Sequence, residues 1–200
     1  TEIGQGADTV FSQMAAETLH MDISRVHIVT QQDTDVTPFD TGAYASRQSF
    51  VTGTAVKECA QQLKQKILEY ARTLVPGNVD RLELEDGYIL ADGKPAISLE
   101  DLAMESYYSL SNSSVLTAEV SRQVKKNTVA SGCCFAEVEV DMKLGKIKVL
   151  DIVNVHDSGT LLNPQLAAMQ VHGGMFMGIG YGVSEQLLID EKTGRPLNGT

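Results

Sequence analysis

Along the first twenty residues the apolar positions step by three and four. Val10, Phe11, Met14, Ala15 and Leu19 fall on one side of a helix predicted over Ala7–Leu19. His20-Met21-Asp22 ends it, and Val26-His27-Ile28-Val29 then predicts a short strand within residues 25–31. Residues 32–47 are polar and turned by Asp33, Asp35, Pro38, Asp40 and Gly42, so they read as a loop. A long second helix is predicted over residues 49–74. Its apolar positions Val56, Cys59, Ala60, Leu63, Ile67, Ala71 and Leu74 keep one face, and Pro76-Gly77-Asn78 stops it.

The middle of the chain predicts a hairpin, residues 81–85 and 88–91, turning at Asp86-Gly87. Residues 98–109 follow as a helix, with Ser98 as N-cap and Asp101 completing something close to a capping box. Ser111-Asn112-Ser113-Ser114 has the composition of a linker, which divides the chain into units 1–110 and 111–200. Beyond it, Ala136, Val138, Val140 and Met142 alternate with Glu137, Glu139 and Asp141, the mark of a strand with one buried face. A two-residue turn at Leu144-Gly145 would set Asp141 opposite Lys148, Met142 opposite Ile147 and Val140 opposite Val149. The run from Leu150 to Val155 loses alternation and predicts a stretch covered on both faces. Asn163-Pro164 opens a last helix through the glycine-rich stretch to about residue 186. The whole is an α+β pattern, with mixed or antiparallel sheets packed with long helices.

Hydrophobic residues make up 42% of the 200, enough for a packed core, which excludes a disordered chain. Sixteen Lys and Arg against 26 Asp and Glu leave a net charge of −10 with no basic tract, so a nucleic-acid or acidic-membrane surface is excluded. Three Cys, two of them adjacent at Cys133 and Cys134, form neither a disulfide framework nor a metal-ligand spacing. The expectation is a reduced, cytoplasmic protein, with Cys133 and Cys134 as small core residues. The stretch 169–183 is too short to span a bilayer and contains Gln170 and His172. Both ends read as cuts through a longer chain.

Three segments could carry chemistry. Gly4-Gln5-Gly6 stands immediately before a helix, where two glycines allow close backbone approach and the helix start offers N–H groups to an anion. A plain flexible turn has the same spacing. The long loop from Asp33 to Arg47 fails the EF-hand template, because Pro38 stands where glycine is needed and Tyr44 where the bidentate glutamate belongs. It is either a snug wall against a polar ligand, using Ala43, Ala45 and Ser46, or a solvated loop pinned by its aspartates. In the third segment Gly174, Gly178 and Gly182 recur every four residues, with Gln170 one turn earlier. On a helix they share a smooth face, for packing against another backbone, for a ligand under the Gln170 amide, or for both. His20, His27, His156 and His172 show no ligand spacing, and Lys143, Lys146 and Lys148 read as a solvated strand face. No triad or metalloprotease motif is visible, so no catalytic side chain and no protein metal ligand is assigned.

Taken in order, Thr1-Glu2-Ile3-Gly4-Gln5-Gly6, residues 35–47, Leu162-Asn163-Pro164 and Gln170-Val171-His172-Gly173-Gly174 closely resemble the molybdenum hydroxylases, the family of xanthine dehydrogenase and aldehyde oxidoreductase. The match is to their molybdopterin-binding part, it runs over most of the chain, and it is weakest over residues 78–127. The resemblance implies that Gln5, between Gly4 and Gly6, hydrogen-bonds near the molybdenum centre. It implies that Ala43, Tyr44, Ala45 and Ser46 pass the metal and the pterin, with Ala45 closest, and that Gln170 contacts the cofactor from the glycine-rich helix. The family's metal is held by the pterin dithiolene, so the protein contributes donors and close backbone.

The family's general-base glutamate and its substrate-selecting loops match no residue here. The chain therefore reads as a fragment or small subunit, inactive alone, of an oxidoreductase that hydroxylates a purine-like heterocycle or an aldehyde with oxygen derived from water. Xanthine dehydrogenase is the nearest type, although His172 and Met177 stand where xanthine-oxidising members often carry other polar residues. The cofactor would be molybdenum–molybdopterin, with the cytosine dinucleotide form left open. Iron–sulfur clusters and FAD are expected on other segments or companion subunits, and the partners are those subunits or the rest of the chain, with a small-molecule substrate. The rival from another class is a non-catalytic α+β binding module whose glycine-rich helix serves packing. A nucleotide-binding enzyme would need a strand running directly into Gly174, which Asn163-Pro164 opposes.

Overall fold

The computed structural model describes residues 1–30, 33–35, 37–126 and 128–199, and forms two compact units, Thr1–Thr128 and Val129–Thr200. The predicted positions Gln31, Gln32 and Val36 lie outside the described residues. In the first unit α1 (Ala7–Leu19) packs on the long α2 (Gln48–Leu74). The helices meet closely at Gly53, where an added Cβ would stand 2.9 Å from Met14 Sδ. Leu82–Glu85 (β1), Tyr88–Ala91 (β2) and Lys94–Ser98 (β3) make an antiparallel sheet in that order, and Leu99–Tyr108 (α3) follows. Ser98 caps α3 by accepting from Asp101 N–H, as its spacing predicts. The core gathers Ile67, Tyr70 and Ala71 of α2, Leu82, Leu84 and Ile89 of the sheet, and Leu102 of α3. Leu84, Ile89 and Leu102 are fully buried.

Three expectations are corrected in this unit. The strand expected at Val26–Val29 does not form, because no strand lies beside it among the described residues. Ile23–Arg25 is instead a short 3-10 turn, and the Thr30 hydroxyl pins the following segment to Asp8 of α1. The hairpin at Asp86-Gly87 gains a third strand, β3, through a second Asp-Gly turn at Asp92-Gly93. The Ser-rich stretch at 111–114 does not end the first unit. Asn112 Nδ2 donates to Thr73 Oγ1, Lys66 Nζ to Thr117 O and Cys59 Sγ to Ala118 O, and Arg122 pairs with Glu58. These contacts run backward along α2 as the chain runs forward, so the segment lies antiparallel to the helix and the boundary falls at Thr128/Val129.

The second unit is a two-stranded ribbon and one helix. Ser131–Asp141 (β4) pairs antiparallel with Lys146–Asp157 (β5), and Pro164–Val183 (α4) lies against β5. The connection has four residues, not two, so Asp141 faces Lys146, Val140 faces Ile147 and Glu139 faces Lys148. Charge still meets charge, two residues out of the expected register. The Asp141 carboxylate sets the longer turn by accepting from Lys143 and Leu144 N–H. A bulge at Glu137/Val138 then shifts the pairing beyond it. No described residue of this unit is buried. Cys133 and Cys134 are exposed, and so are Leu150, Val153 and Val155, so neither the core cysteines nor the doubly covered stretch is found. A two-stranded ribbon with one helix leaves most of both its faces open. No described helix is long and apolar enough to cross a membrane.

Candidate functional site

Gly4-Gln5-Gly6 is a tight turn into α1, with Gly4 at φ 94° and Gly6 at φ 89°, values that disfavour any side chain. The helix start is not open to an anion. The Glu2 carboxylate accepts from Gly4 N–H at 2.6 Å, Gly6 N–H at 3.4 Å and Asp8 N–H at 3.0 Å. The Asp8 N–H contributes most to holding the Glu2 carboxyl below its ordinary value, against the opposing effect of burial, with Gly4, Gly6 and Ala7 adding to it. The Gln5 amide is also partly spent inside the turn. Its Oε1 accepts from Ile3 N–H at 2.7 Å and its Nε2 donates to Thr1 O at 3.0 Å. A primary amide has two hydrogens, so one N–H of Gln5 remains to donate.

The loop before α2 is closed on itself. Arg47, the N-cap of α2, bonds Thr41 Oγ1 through its guanidinium, which also sits 5.4 Å from the Tyr44 ring centroid. Asp33 and Asp40 bond the backbone two residues on, at Asp35 and Gly42, so the aspartates do pin the loop. At its tip Ala45 (φ 53°) and Ser46 (φ 52°) are both left-handed. Each non-glycine residue so held costs about 1–3 kcal/mol, and such strain clusters at ligand clamps. Ala43 is half-buried, while Tyr44, Ala45 and Ser46 are exposed.

Asp40 joins this loop to the Gln5 turn. Its carboxylate accepts from the Thr1 backbone nitrogen at 2.8 Å and from Gln48 Nε2 at 3.4 Å. Gly4, Gln5, Gly6 and the Ala43–Ser46 tip are thus parts of one bonded arrangement within the first unit.

Gln170 belongs to the second unit. Asn163 caps α4 by accepting from Leu166 N–H, with Pro164 in the first turn, as the sequence predicts. Ala167, Val171, Met175 and Ile179 form the half-buried stripe of this helix. The Gln170 amide is exposed and forms no hydrogen bond among the described residues. Apart from the adjoining backbone of α4 itself, a Cβ built on Gly173, Gly174, Gly178 or Gly182 would meet nothing within 4 Å among the described residues. Nothing in the unit explains why glycine stands there.

The model of the molybdopterin cofactor-binding domain matches residues 1–200. The chain belongs to this family. It is 48% identical over 197 residues to the putative xanthine dehydrogenase molybdenum-binding subunit of Escherichia coli (strain K12), covering 97% of this chain and 26% of that protein. A probable hypoxanthine oxidase of the same organism is 33% identical over 196 residues, 98% of this chain and 20% of that protein. Quinoline 2-oxidoreductase from Pseudomonas putida 86 superposes with a TM-score of 0.83 at 25% identity, covering all of this chain and 26% of that one. The domain therefore spans about a quarter of the length of these relatives, and its α+β architecture is theirs.

The residues present suit a molybdopterin. Among the described residues no three His, Cys, Asp or Glu side chains converge on a metal position. The first unit offers a spare amide N–H at Gln5 and a strained loop tip, and the second an exposed amide at Gln170 beside a glycine-lined helix face; donors and close backbone of this kind suit a heteroatom-rich cofactor. Two surface hollows of the first unit lie away from these segments. One of about 350 Å³ runs along α2 beside Leu82, and one of about 540 Å³ lies around His20, whose Nδ1 is 2.9 Å from Glu85 Oε2. Sequence reasoning missed Glu2, Asp40 and Gln48. An acid two residues ahead of a Gly-x-Gly helix start is a usable signal for the first. The Asp40 turn contact with Gly42 is expected, but its contacts with Thr1 and Gln48 are ones the sequence does not display.

Proposed function

We propose that the domain forms part of the cofactor surface of a molybdenum hydroxylase, an oxidoreductase that hydroxylates a purine-like heterocycle or an aldehyde with oxygen from water, of the xanthine dehydrogenase type. The observation that carries this reading is the glycine face of α4, bare beside the Gln170 amide, which is unpaired among the described residues. Each helical glycine costs about 1 kcal/mol against alanine, so the four of the five α4 glycines that face open space call for a close neighbour that the described residues of the unit do not supply. The cofactor, when bound, supplies the two-electron oxidation. This chain binds and orients it. Gln170 donates to it over the glycine face, Gln5 donates its spare N–H from the Gly4–Gly6 turn, and Ala43, Tyr44, Ala45 and Ser46 bring close backbone and a hydroxyl. No residue here is assigned the proton transfer, and in this reading the active site is completed by the rest of the chain or by companion subunits. Those would also hold the iron–sulfur clusters and FAD. The relatives' length and the designation of one as a molybdenum-binding subunit support such an assembly.

The test is Gln170→Ala in the full-length protein. Molybdenum and pterin content should fall about tenfold, the effect of losing a hydrogen bond and leaving its partner unpaired, with an unchanged circular dichroism spectrum. Unchanged content would remove Gln170 from the site and favour a packing role for α4.

A further inference from the structure

We infer that Gln48 is a positioning residue, whose amide N–H₂ group fixes the distance between the Gln5 turn and the Ala43–Ser46 tip. The inference rests on the cofactor reading of those two segments. Gln48 stands at the first position of α2, directly after the left-handed pair and Arg47. Its Nε2 lies 3.4 Å from Thr1 O and 3.4 Å from Asp40 Oδ2. Thr1 O is the same carbonyl that accepts from Gln5 Nε2, at 3.0 Å. One amide nitrogen with two hydrogens therefore reaches Thr1 O, to which Gln5 also donates, and Asp40 at the base of the loop that carries the Ala43–Ser46 tip.

A structural role alone does not account for a glutamine here. Both neighbours of Nε2 are acceptors, which fixes the amide orientation and turns Oε1 away from them. Oε1 is buried and has no hydrogen-bond partner among the described residues. An unpaired buried acceptor opposes stability, and a helix start needs no amide at this position. What glutamine provides is a neutral double donor beside a carboxylate. Methionine would match its shape without donating, glutamate would add a second carboxylate next to Asp40, and lysine would restore the donor.

The experiment uses the full-length protein with Gln48→Met, Gln48→Glu and Gln48→Lys. Bound pterin is read by fluorescence after oxidation, and its release is followed during dialysis, with the melting temperature measured on each sample. Gln48→Met and Gln48→Glu should release pterin about fivefold faster than the wild type, the effect of losing one net hydrogen bond. Gln48→Lys should hold it within about twofold, with all melting temperatures within about 3 °C. Wild-type retention in Gln48→Met, or equal loss in all three variants, overturns the role of the donor and leaves the cofactor reading standing. A wild-type protein that contains no pterin overturns the cofactor reading, and this inference with it.

Discussion

The two units differ in how much of their fold they complete by themselves. The first closes a core around Leu84, Ile89 and Leu102, and its helices meet where Gly53 leaves room for Met14. The second buries none of its described residues, though α4 and the ribbon are its most apolar elements. Phe176 is 75% exposed and Tyr181 74% exposed. A helix apolar on all sides belongs in an interior. The lesson is that strength of pattern and completeness of packing are separate matters. The same contrast divides the candidate site. Gln5 and the Ala43–Ser46 tip are held by bonds within their unit, whereas Gln170 projects from a helix whose glycine face meets nothing of its own.

The sharpest way to break this comparison is to empty each unit in turn. In the 200-residue chain Leu102→Ala should cost about 2–5 kcal/mol in urea unfolding. Phe135→Ala, on the exposed ribbon, should cost less than about 1 kcal/mol. Equal losses would mean that the ribbon is as well packed as the core. A smaller effect of opposite sign comes from α4. Gly178→Ala should stabilise the 200-residue chain by up to about 1 kcal/mol, because its Cβ enters open space and alanine favours the helix. The same substitution in the full-length protein should lower pterin content. A destabilised chain would show that the glycine face is already filled.

The smallest expected effect tests the bonded half of the site. The Glu2 carboxyl lies below its ordinary value of 4.5 in the folded protein, so its contribution is present at neutral pH and lost as pH falls through the folded value. Glu2→Gln should therefore lower the melting temperature at pH 7, by an amount corresponding to about 0.5–1 kcal/mol. At pH 3 the gap should narrow. A gap constant across that range would mean that the carboxylate is not what holds the Gly4–Gly6 turn.

Much of the fold is legible in the sequence where the signal is local. Ser98 and Asn163-Pro164 announce their helices, Asp86-Gly87 announces a hairpin, and the four-residue spacing of Gly174, Gly178 and Gly182 is enough to mark one helix face. What escapes depends on distant partners. Val26–Val29 has a strand's composition but no neighbouring edge. The register of β4 and β5 turns on Asp141 capping a four-residue turn, and both registers pair opposite charges, so charge alone does not choose. In the site, the Gly-x-Gly turn and the loop are visible. The carboxylate that fills the helix start and the amide that ties turn to loop are not, because Glu2 acts through backbone N–H groups that every sequence has and Gln48 reaches Thr1 O and Asp40 Oδ2 only in the folded chain.

The central claim is that this chain binds molybdopterin through these two glutamines and this loop. It is tested most directly by assaying molybdenum by elemental analysis and pterin by fluorescence after oxidation on the folded, unproteolysed full-length protein. Near-stoichiometric molybdenum and pterin are predicted. Absence of both would contradict the claim and return Gln5, Ala45 and Gln170 to packing.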